Sequence, residues 1–168
     1  PSFVCVRLSL WGGFLLSIDI DFRPHSCVSP EQARTVCSQA SNMCDIIVGN
    51  DEEFAVLADS QDGLSLAEEL SQLAGRVVVY KRGAEGCSTF FSQARFDTPV
   101  FKVNALKPTG AGDGFMGGFI SGLVAGTPLQ EAVRRGAATA AMVVTRVGCA
   151  PAMPDAAEVL LFMQLALN

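Results

Sequence analysis

The stretch KPTGAGDGFMGG, residues 107–118, contains five glycines and a single acidic residue, Asp113. Glycine loses more backbone freedom on folding than any other residue, so this density indicates a backbone with special requirements. The run GFISGLVAG follows, and together they predict a helix that begins near Asp113. The small residues Gly110, Ala111 and Gly112 would let an anion approach the free N–H groups of the first helical turn.

The position of Asp113 within this stretch has two interpretations. An acid would repel a bound phosphate unless it served to take a proton from an attacking hydroxyl group. An anion site combined with a base is what phosphoryl transfer requires. In the structural alternative, Asp113 only satisfies N–H groups of the first turn, and the later glycines only permit close helix packing. The stretch by itself leaves both interpretations open.

Two other nucleotide-binding motifs are disfavoured. Residues 112–117 fit the pattern G-x-G-x-x-G, which in dinucleotide-binding folds is followed by an acid about 20 residues later. Here that region reads GAATAAMVV and contains no acid. The sequence also contains no G-K-[ST] of a P-loop.

Short apolar runs alternate with amphipathic segments along the chain, which is typical of an α/β layer with a largely parallel sheet. Predicted strands are FLLSIDI (14–20), DIIVG (45–49), RVVVYK (76–81), CSTFF (87–91) and PVFKV (99–103). Helix starts are indicated at Ser29 before Pro30, at Asn50 with Glu53, at Ser65 with Glu68, at Thr127 with Pro128, and at Asp155. Ligands of such sheets bind at the carboxyl ends of the strands, so DIDFR, GNDEE and KRGAEG are expected on one edge.

Composition limits the class of protein. The 168 residues correspond to about one domain, and the net charge of -5 does not favour nucleic acid or anionic membranes as partners. The six cysteines without a C-x-x-C pair are expected to be mostly buried thiols in the cytoplasm, and a single histidine disfavours a zinc site. The apolar segment 3–18 predicts a buried strand rather than a signal peptide or a membrane span. A chain that begins at Pro1 is expected to be a fragment or a processed piece.

PTGAGDGFMGGF resembles the G-A-G-D signature of the PfkB-type, ribokinase-like carbohydrate kinases. Three further segments match the family in order and spacing: VGNDEEF, VVVYKRGAEGC and AAMVVTRVGCAPAMP. The resemblance implies a three-layer α/β/α sandwich with a mostly parallel sheet. It implies that residues 1–168 form the nucleotide-binding, C-terminal portion of one kinase domain, without the N-terminal half and the β-lid. A sheet cut in this way would need a homo-oligomer or a missing N-terminal segment to cover its edge.

The resemblance also implies roles for individual residues. Asp113 would be the catalytic base and contact the substrate, and Gly110, Ala111 and Gly112 would form the anion hole. Asn50 and Glu53 would act on Mg²⁺ through water and on the nucleotide, although by themselves they predict only a capping box. Other implied nucleotide-binding residues are Lys81, Gly83, Gly86, Ala138 and Gly148. Arg23 would face a substrate carboxylate.

The implied activity is transfer of a phosphoryl group from ATP to a hydroxyl of a sugar or sugar acid, with ADP as product. DIDFRP, YKRGAEGC and GCAPAMP are similar to a branch of the family that acts on a keto sugar acid of inositol breakdown. Ribose, fructose or 2-keto-3-deoxygluconate is an alternative substrate, and a non-catalytic nucleotide-binding fragment is an alternative function. Many relatives bind a monovalent cation such as K⁺, but Lys107 occupies the place of the acid that helps to hold it. We hypothesise that the Lys107 ammonium stands where potassium would sit.

Overall fold

The computed structural model describes residues 4–10, 13–22, 29–59, 62–73 and 75–166, the side chains of residues 4–14 and of Pro30 excepted. The chain divides into two compact units. The first contains Pro1–Gly83 and Cys87–Asp97, and the second contains Ala84–Gly86 and Thr98–Asn168. None of the described helices has the length and apolar character needed to cross a membrane.

A six-stranded sheet has its strands in sequence order. The strands are β1 (Val4–Leu10), β2 (Gly13–Asp19), β3 (Ile46–Asn50), β4 (Val77–Lys81), β5 (Cys87–Phe91) and β6 (Ala94–Thr98). At the centre, β2 pairs parallel with β3 and β3 pairs parallel with β4. On the flanks, β1 and β5 pair antiparallel with their neighbours. The predicted α/β class is confirmed, with the parallel pairing confined to the three central strands.

The core of the first unit forms where the central strands meet three helices, α1 (Pro30–Asn42), α2 (Asp51–Ala58) and α3 (Gly63–Ser71). Strands buried on both faces read as continuous apolar runs, which is why the segments IIVG and VVVY predict them correctly. Phe54 of α2 is completely buried, and the centroid of its ring lies 5.3 Å from the centroid of the Tyr80 ring on β4.

Asp45 connects the amino ends of the three parallel strands. Its backbone N–H donates to the carbonyl oxygen of Leu16 at 2.8 Å, and its carboxylate accepts from the Leu16 N–H at 2.8 Å. Its own carbonyl oxygen accepts from the N–H of Val77 at 2.8 Å. One residue therefore links β2 and β4 at the start of β3, on the edge opposite to the strand ends where ligands are expected.

Three predictions about the strands and helices are wrong. The segment 3–18, expected to be one buried strand, contains β1 and most of β2, which pair antiparallel. The last strand is β6, not the segment 99–103, because Ser92 and Gln93 adopt positive φ angles of 49° and 65° and reverse the chain in a two-residue turn. Helix α3 begins at Gly63 rather than after Ser65. The carboxylate of Asp62 accepts a hydrogen bond from the Ser65 N–H at 3.2 Å and thereby starts the helix earlier.

The second unit contains α4 (Ala111–Val124), α5 (Leu129–Val144) and α6 (Ala156–Leu165). Helix α4 begins two residues before Asp113, because Gly110 adopts the left-handed conformation, with φ of 88°, that precedes the first turn. Helix α5 is preceded by Pro128 as predicted, but the Thr127 hydroxyl donates back to the Gly122 carbonyl at 2.9 Å instead of capping the helix. Helix α6 begins after Asp155, as predicted, and the structure adds a capping box between Asp155 and Glu158.

Glycines repeat every fourth residue on the side of α4 that faces α5. A Cβ atom built on Gly114 would lie 3.0 Å from Cγ2 of Val143, and one built on Gly122 would lie 2.7 Å from Cα of Ala132. A Cβ on Gly118 would overlap the hydroxyl of Thr139. Close packing of two helix backbones therefore explains Gly114 and Gly118 of the opening stretch, as the sequence suggested, but not Gly117, where a Cβ atom would meet no atom within 4 Å.

Candidate active site

The amino end of α4 has the features of an anion site. Gly110 occupies the N-cap position, and no side chain accepts a hydrogen bond from the first turn. The first intrahelical bond runs from the N–H of Gly114 to the carbonyl oxygen of Gly110 at 2.9 Å. The N–H of Ala111 donates to the carbonyl oxygen of Pro108 at 3.3 Å, whereas the N–H groups of Gly112 and Asp113 lie at the positive end of the helix dipole without a side-chain cap. This end of the helix can therefore accept a negatively charged group.

Asp113 is the third residue of α4, and its side chain is exposed. Within the described residues, its carboxylate takes part in no hydrogen bond or ion pair. The structural alternative required this carboxylate to satisfy first-turn N–H groups, and the structure gives it no such contact. The carboxylate is therefore free to accept a proton from a group that approaches the helix end.

The segment before α4 is fixed to the end of α5. The N–H groups of Leu106 and Lys107 both donate to the carbonyl oxygen of Val144, at 2.8 and 3.3 Å. The Lys107 ammonium folds back and donates to the carbonyl oxygen of Thr109 at 2.5 Å. The positively charged Lys107 ammonium group thus lies against a backbone carbonyl oxygen, just before the candidate anion site.

Asn50 and Glu53 meet where β3 continues into α2. The Asn50 side chain accepts from the Glu53 N–H at 2.8 Å, and the Glu53 carboxylate accepts from the Asn50 N–H at 2.6 Å. The predicted capping box is confirmed. Glu53 is only 7% exposed, and this burial raises the pKa of its carboxyl group despite the opposing effect of the Lys81 charge.

Lys81 forms an ion pair with Asp19, with 3.2 Å between the ammonium nitrogen and the carboxylate oxygen. Both side chains are largely buried, at 16% and 9% exposure. Because β3 lies between β2 and β4, this pair crosses the end of β3 at Asn50. The sequence analysis placed both residues at this edge, within DIDFR and KRGAEG, but it named only Lys81 as a site residue and did not pair it with Asp19. The only feature of the sequence that singles out Asp19 is that this charged residue stands at the end of a buried apolar strand.

The turn after β4 requires its two glycines. Gly83 and Gly86 have φ angles of 53° and 89°, in the region that side chains disfavour. A Cβ atom on Gly86 would also overlap the carbonyl oxygen of Thr98. The backbone geometry of the turn therefore explains both glycines. Their predicted contacts with the nucleotide stay predictions.

Three other predicted site residues differ in how the structure places them. Ala138 is fully buried on α5 in a cluster with Met142, Val159 and Met163. Gly148 has a φ angle of 88° in the loop after α5, and Arg23 lies outside the described residues. The roles proposed for them in binding stay predictions.

The second unit also contains a cavity. This cavity, of about 230 Å³, lies beside Gly117, Arg135 and Met153, and none of the predicted site residues lines it.

Among the described residues, no group of three or more His, Cys, Asp or Glu side chains could hold a metal ion. The side chains of Cys37, Cys44 and Cys87 are buried, and that of Cys149 is exposed. A metal at Asn50 and Glu53 would therefore need water and a ligand to complete its coordination.

The pfkB family carbohydrate kinase model matches residues 21–156. The chain belongs to this family. A curated relative, 5-dehydro-2-deoxygluconokinase of Geobacillus thermodenitrificans (strain NG80-2), is 30% identical over 167 residues, which cover 96% of this chain and 50% of the relative. The chain thus spans about half the length of the curated relatives it matches.

Solved structures agree with this family assignment. A ribokinase from Thermotoga maritima is 31% identical with a TM-score of 0.69, over 76% of this chain and 44% of the ribokinase. A fructokinase from Vibrio cholerae O395, in a form bound to fructose, ADP and potassium, shares the fold at 22% identity with a TM-score of 0.78. This alignment covers 88% of the chain and 50% of the fructokinase. The expected ribokinase-like fold is confirmed.

Proposed function

We propose that residues 1–168 form the nucleotide-binding, C-terminal portion of a single ATP-dependent sugar kinase domain. The observation that carries the proposal is Asp113, an exposed carboxylate without partners among the described residues, in the first turn of a helix that no side chain caps. The proposed substrate is 5-dehydro-2-deoxygluconate, a keto sugar acid. The names of the curated relatives support this substrate. We further propose that the reaction belongs to inositol breakdown in the cytoplasm, as the family resemblance implies.

In the proposed reaction, Asp113 takes the proton from a primary hydroxyl group of the sugar acid as its oxygen attacks the γ-phosphorus of ATP. The N–H groups around Gly110, Ala111 and Gly112 stabilise the negative charge on the transferring group. They are already oriented by the helix, so they need no rearrangement during the reaction. Asp113 then holds the proton that the sugar has lost, and ADP leaves with the former bridging oxygen.

Asn50 and Glu53 suit Mg²⁺, because hard cations prefer oxygen ligands and this cation often retains its water molecules. One Glu53 oxygen accepts from the Asn50 N–H, so the carboxylate can cap α2 and still orient a water molecule. Mg²⁺, when bound, would neutralise charge on the nucleotide phosphates. We place the nucleotide against Lys81 and the turn of Gly83 and Gly86. The further proposed contacts are Ala138 and Gly148 for the nucleotide and Arg23 for the substrate carboxylate.

Asp113→Asn tests the proposed base. A general base contributes about 10²- to 10⁴-fold to a rate, so we expect kcat in a coupled kinase assay to fall by at least 10²-fold. ATP affinity should remain nearly unchanged, because the group acts on the sugar hydroxyl. Glu31→Gln is a matched control, since Glu31 is an exposed acid in the first turn of α1. A loss below tenfold in Asp113→Asn would remove Asp113 from the role of base.

The second candidate function is a non-catalytic nucleotide-binding chain. The uncapped start of α4 supports it, because such a helix end can bind a phosphate group whether or not a transfer follows. Calorimetric titration with MgADP distinguishes the two. Binding of ADP with no turnover of any sugar acid would support the second candidate, whereas turnover that disappears in Asp113→Asn would exclude it.

A further inference from the structure

Val143 contacts the backbone of α4 on both sides of Asp113. A Cβ atom built on Gly110 would lie 3.2 Å from Cγ1 of Val143, and one built on Gly114 would lie 3.0 Å from Cγ2. The two methyl groups of one side chain thus lie against two glycines that are four residues apart. Val143 is itself completely buried, so it fills the space between α5 and the start of α4 without reaching solvent.

Packing and backbone hydrogen bonds, without a side-chain cap, hold this helix end in place. No side chain caps α4, and the left-handed residue Gly110 has no Cβ atom of its own to pack. Valine is branched at Cβ and has few accessible rotamers, so its two methyl groups form a fixed surface. The next residue, Val144, accepts the two hydrogen bonds that anchor the segment before α4. The end of α5 therefore supports both the approach to the helix and its first turn.

We infer that Val143 is a positioning residue that sets the location of the anion site and of the Asp113 carboxylate. The inference rests on the proposed kinase function. A base and an anion site must hold their reactants in a productive geometry, and a displacement of about 1 Å costs roughly 10²-fold in rate. Val143 makes no contact with substrate in this scheme and acts only through the α4 backbone.

Val143→Ala is compared with Val133→Ala. Both valines lie on α5, both are completely buried, and both changes delete the same two methyl groups. We expect a similar decrease in Tm for the two variants. Only Val143→Ala should lower kcat, by about 10- to 10²-fold, with the KM for ATP within about twofold of the unsubstituted protein. Equal kcat values in the two variants would overturn the inference.

A second substitution supplies a rescue. In the Val143→Ala background, the Cβ of Gly114→Ala would lie 3.0 Å from the place that Cγ2 of Val143 had occupied and would fill part of the space left there, so kcat should recover at least partly. Gly114→Ala alone should lower kcat, because its Cβ would press on Val143 and lie 3.4 Å from Cα of Ala140. The two changes must therefore be strongly non-additive. Additive losses would contradict a positioning role.

The affinity of MgADP with tetrafluoroaluminate, relative to MgADP alone, gives a readout that does not need turnover. This pair mimics the transferring phosphoryl group, so Val143→Ala should weaken its binding at least tenfold more than that of MgADP, while Val133→Ala should not. If the ratio of these two affinities in Val143→Ala equalled that in the unsubstituted protein, the inference would be overturned. Failure of the proposed function gives a different pattern: Asp113→Asn would retain kcat, or tetrafluoroaluminate would add nothing to MgADP binding in the unsubstituted protein.

Discussion

The adjacent glycines Gly117 and Gly118 are expected to respond in opposite directions to the same substitution. A Cβ atom on Gly117 would meet no atom within 4 Å. On Gly118 it would lie 2.7 Å from the carbonyl oxygen of Arg135 and 2.9 Å from Cβ of Thr139. Both residues are within α4, so replacement by alanine restricts the unfolded chain equally in the two cases.

The size of the effect follows from these contacts. Alanine in place of a helical glycine stabilises by roughly 0.5–1 kcal/mol, which is the full expectation for Gly117→Ala. Gly118→Ala gains the same amount but must push α4 away from α5, and overpacking of this kind costs about 1–3 kcal/mol. The helix propensity cancels in the comparison. The two variants should therefore differ in their free energy of unfolding by about 1–3 kcal/mol.

Urea unfolding followed by far-ultraviolet circular dichroism measures this difference, from the midpoint with the slope held common. Thermal unfolding should separate the two variants by roughly 2–4 °C for each kcal/mol in a chain of this size. If Gly118→Ala were as stable as Gly117→Ala, close packing between α4 and α5 would not be the reason for glycine at that position. The same result would weaken the assignment of the later glycines to packing in general.

Other substitutions and conditions test the remaining features. Gly86→Ala should lower stability by at least about 1–2 kcal/mol, the cost of a left-handed non-glycine residue, with more from the overlap on the Thr98 carbonyl; unfolding at an unchanged midpoint would contradict this. If the Lys107 ammonium replaces a monovalent cation, kinase activity should be the same in potassium and in tetramethylammonium salts, and a several-fold rise with potassium would refute the hypothesis. Burial raises the pKa of the Glu53 carboxyl group, so the folded state favours the protonated side chain. The free energy of unfolding should therefore fall as pH rises through the raised pKa, and Glu53→Gln should abolish this fall. Because glutamine can still accept from the Asn50 N–H, a fall in Mg²⁺-dependent nucleotide affinity in that variant would assign Glu53 a role beyond capping; unchanged affinity would leave it a cap only.

Local signals predicted most helices and strands. The capping box of Asn50 with Glu53 was identified correctly, because such a box depends only on residues three positions apart, and the helix start at Asp155 was also predicted correctly. The same reasoning failed at Ser65, where the pattern was present but the Asp62 carboxylate started the helix earlier. The last strand was placed too late, because nothing in the segment SQAR indicates that Ser92 and Gln93 adopt positive φ angles.

The candidate site could be predicted only in part, for a similar reason. The anion site at Gly110 and the free carboxylate of Asp113 are encoded in consecutive residues, so the sequence could indicate them. The ion pair of Asp19 with Lys81 joins residues 62 positions apart. It depends on the order of the strands, which a pattern of apolar runs does not determine. Val143 was likewise invisible as a supporting residue, because an apolar residue in an apolar helix carries no distinctive signal.

Asp45 has a consequence for how natural variants of this protein should be understood. Loss of its side chain would remove a hydrogen bond to β2 at the edge of the sheet opposite to Asn50 and Lys81. Such a variant would retain every proposed catalytic group yet exist in the cell at lower abundance, since small losses of stability change steady-state levels several-fold. A deficiency caused at Asp45 should therefore respond to a small molecule that stabilises the native state, whereas one caused at Asp113 should not.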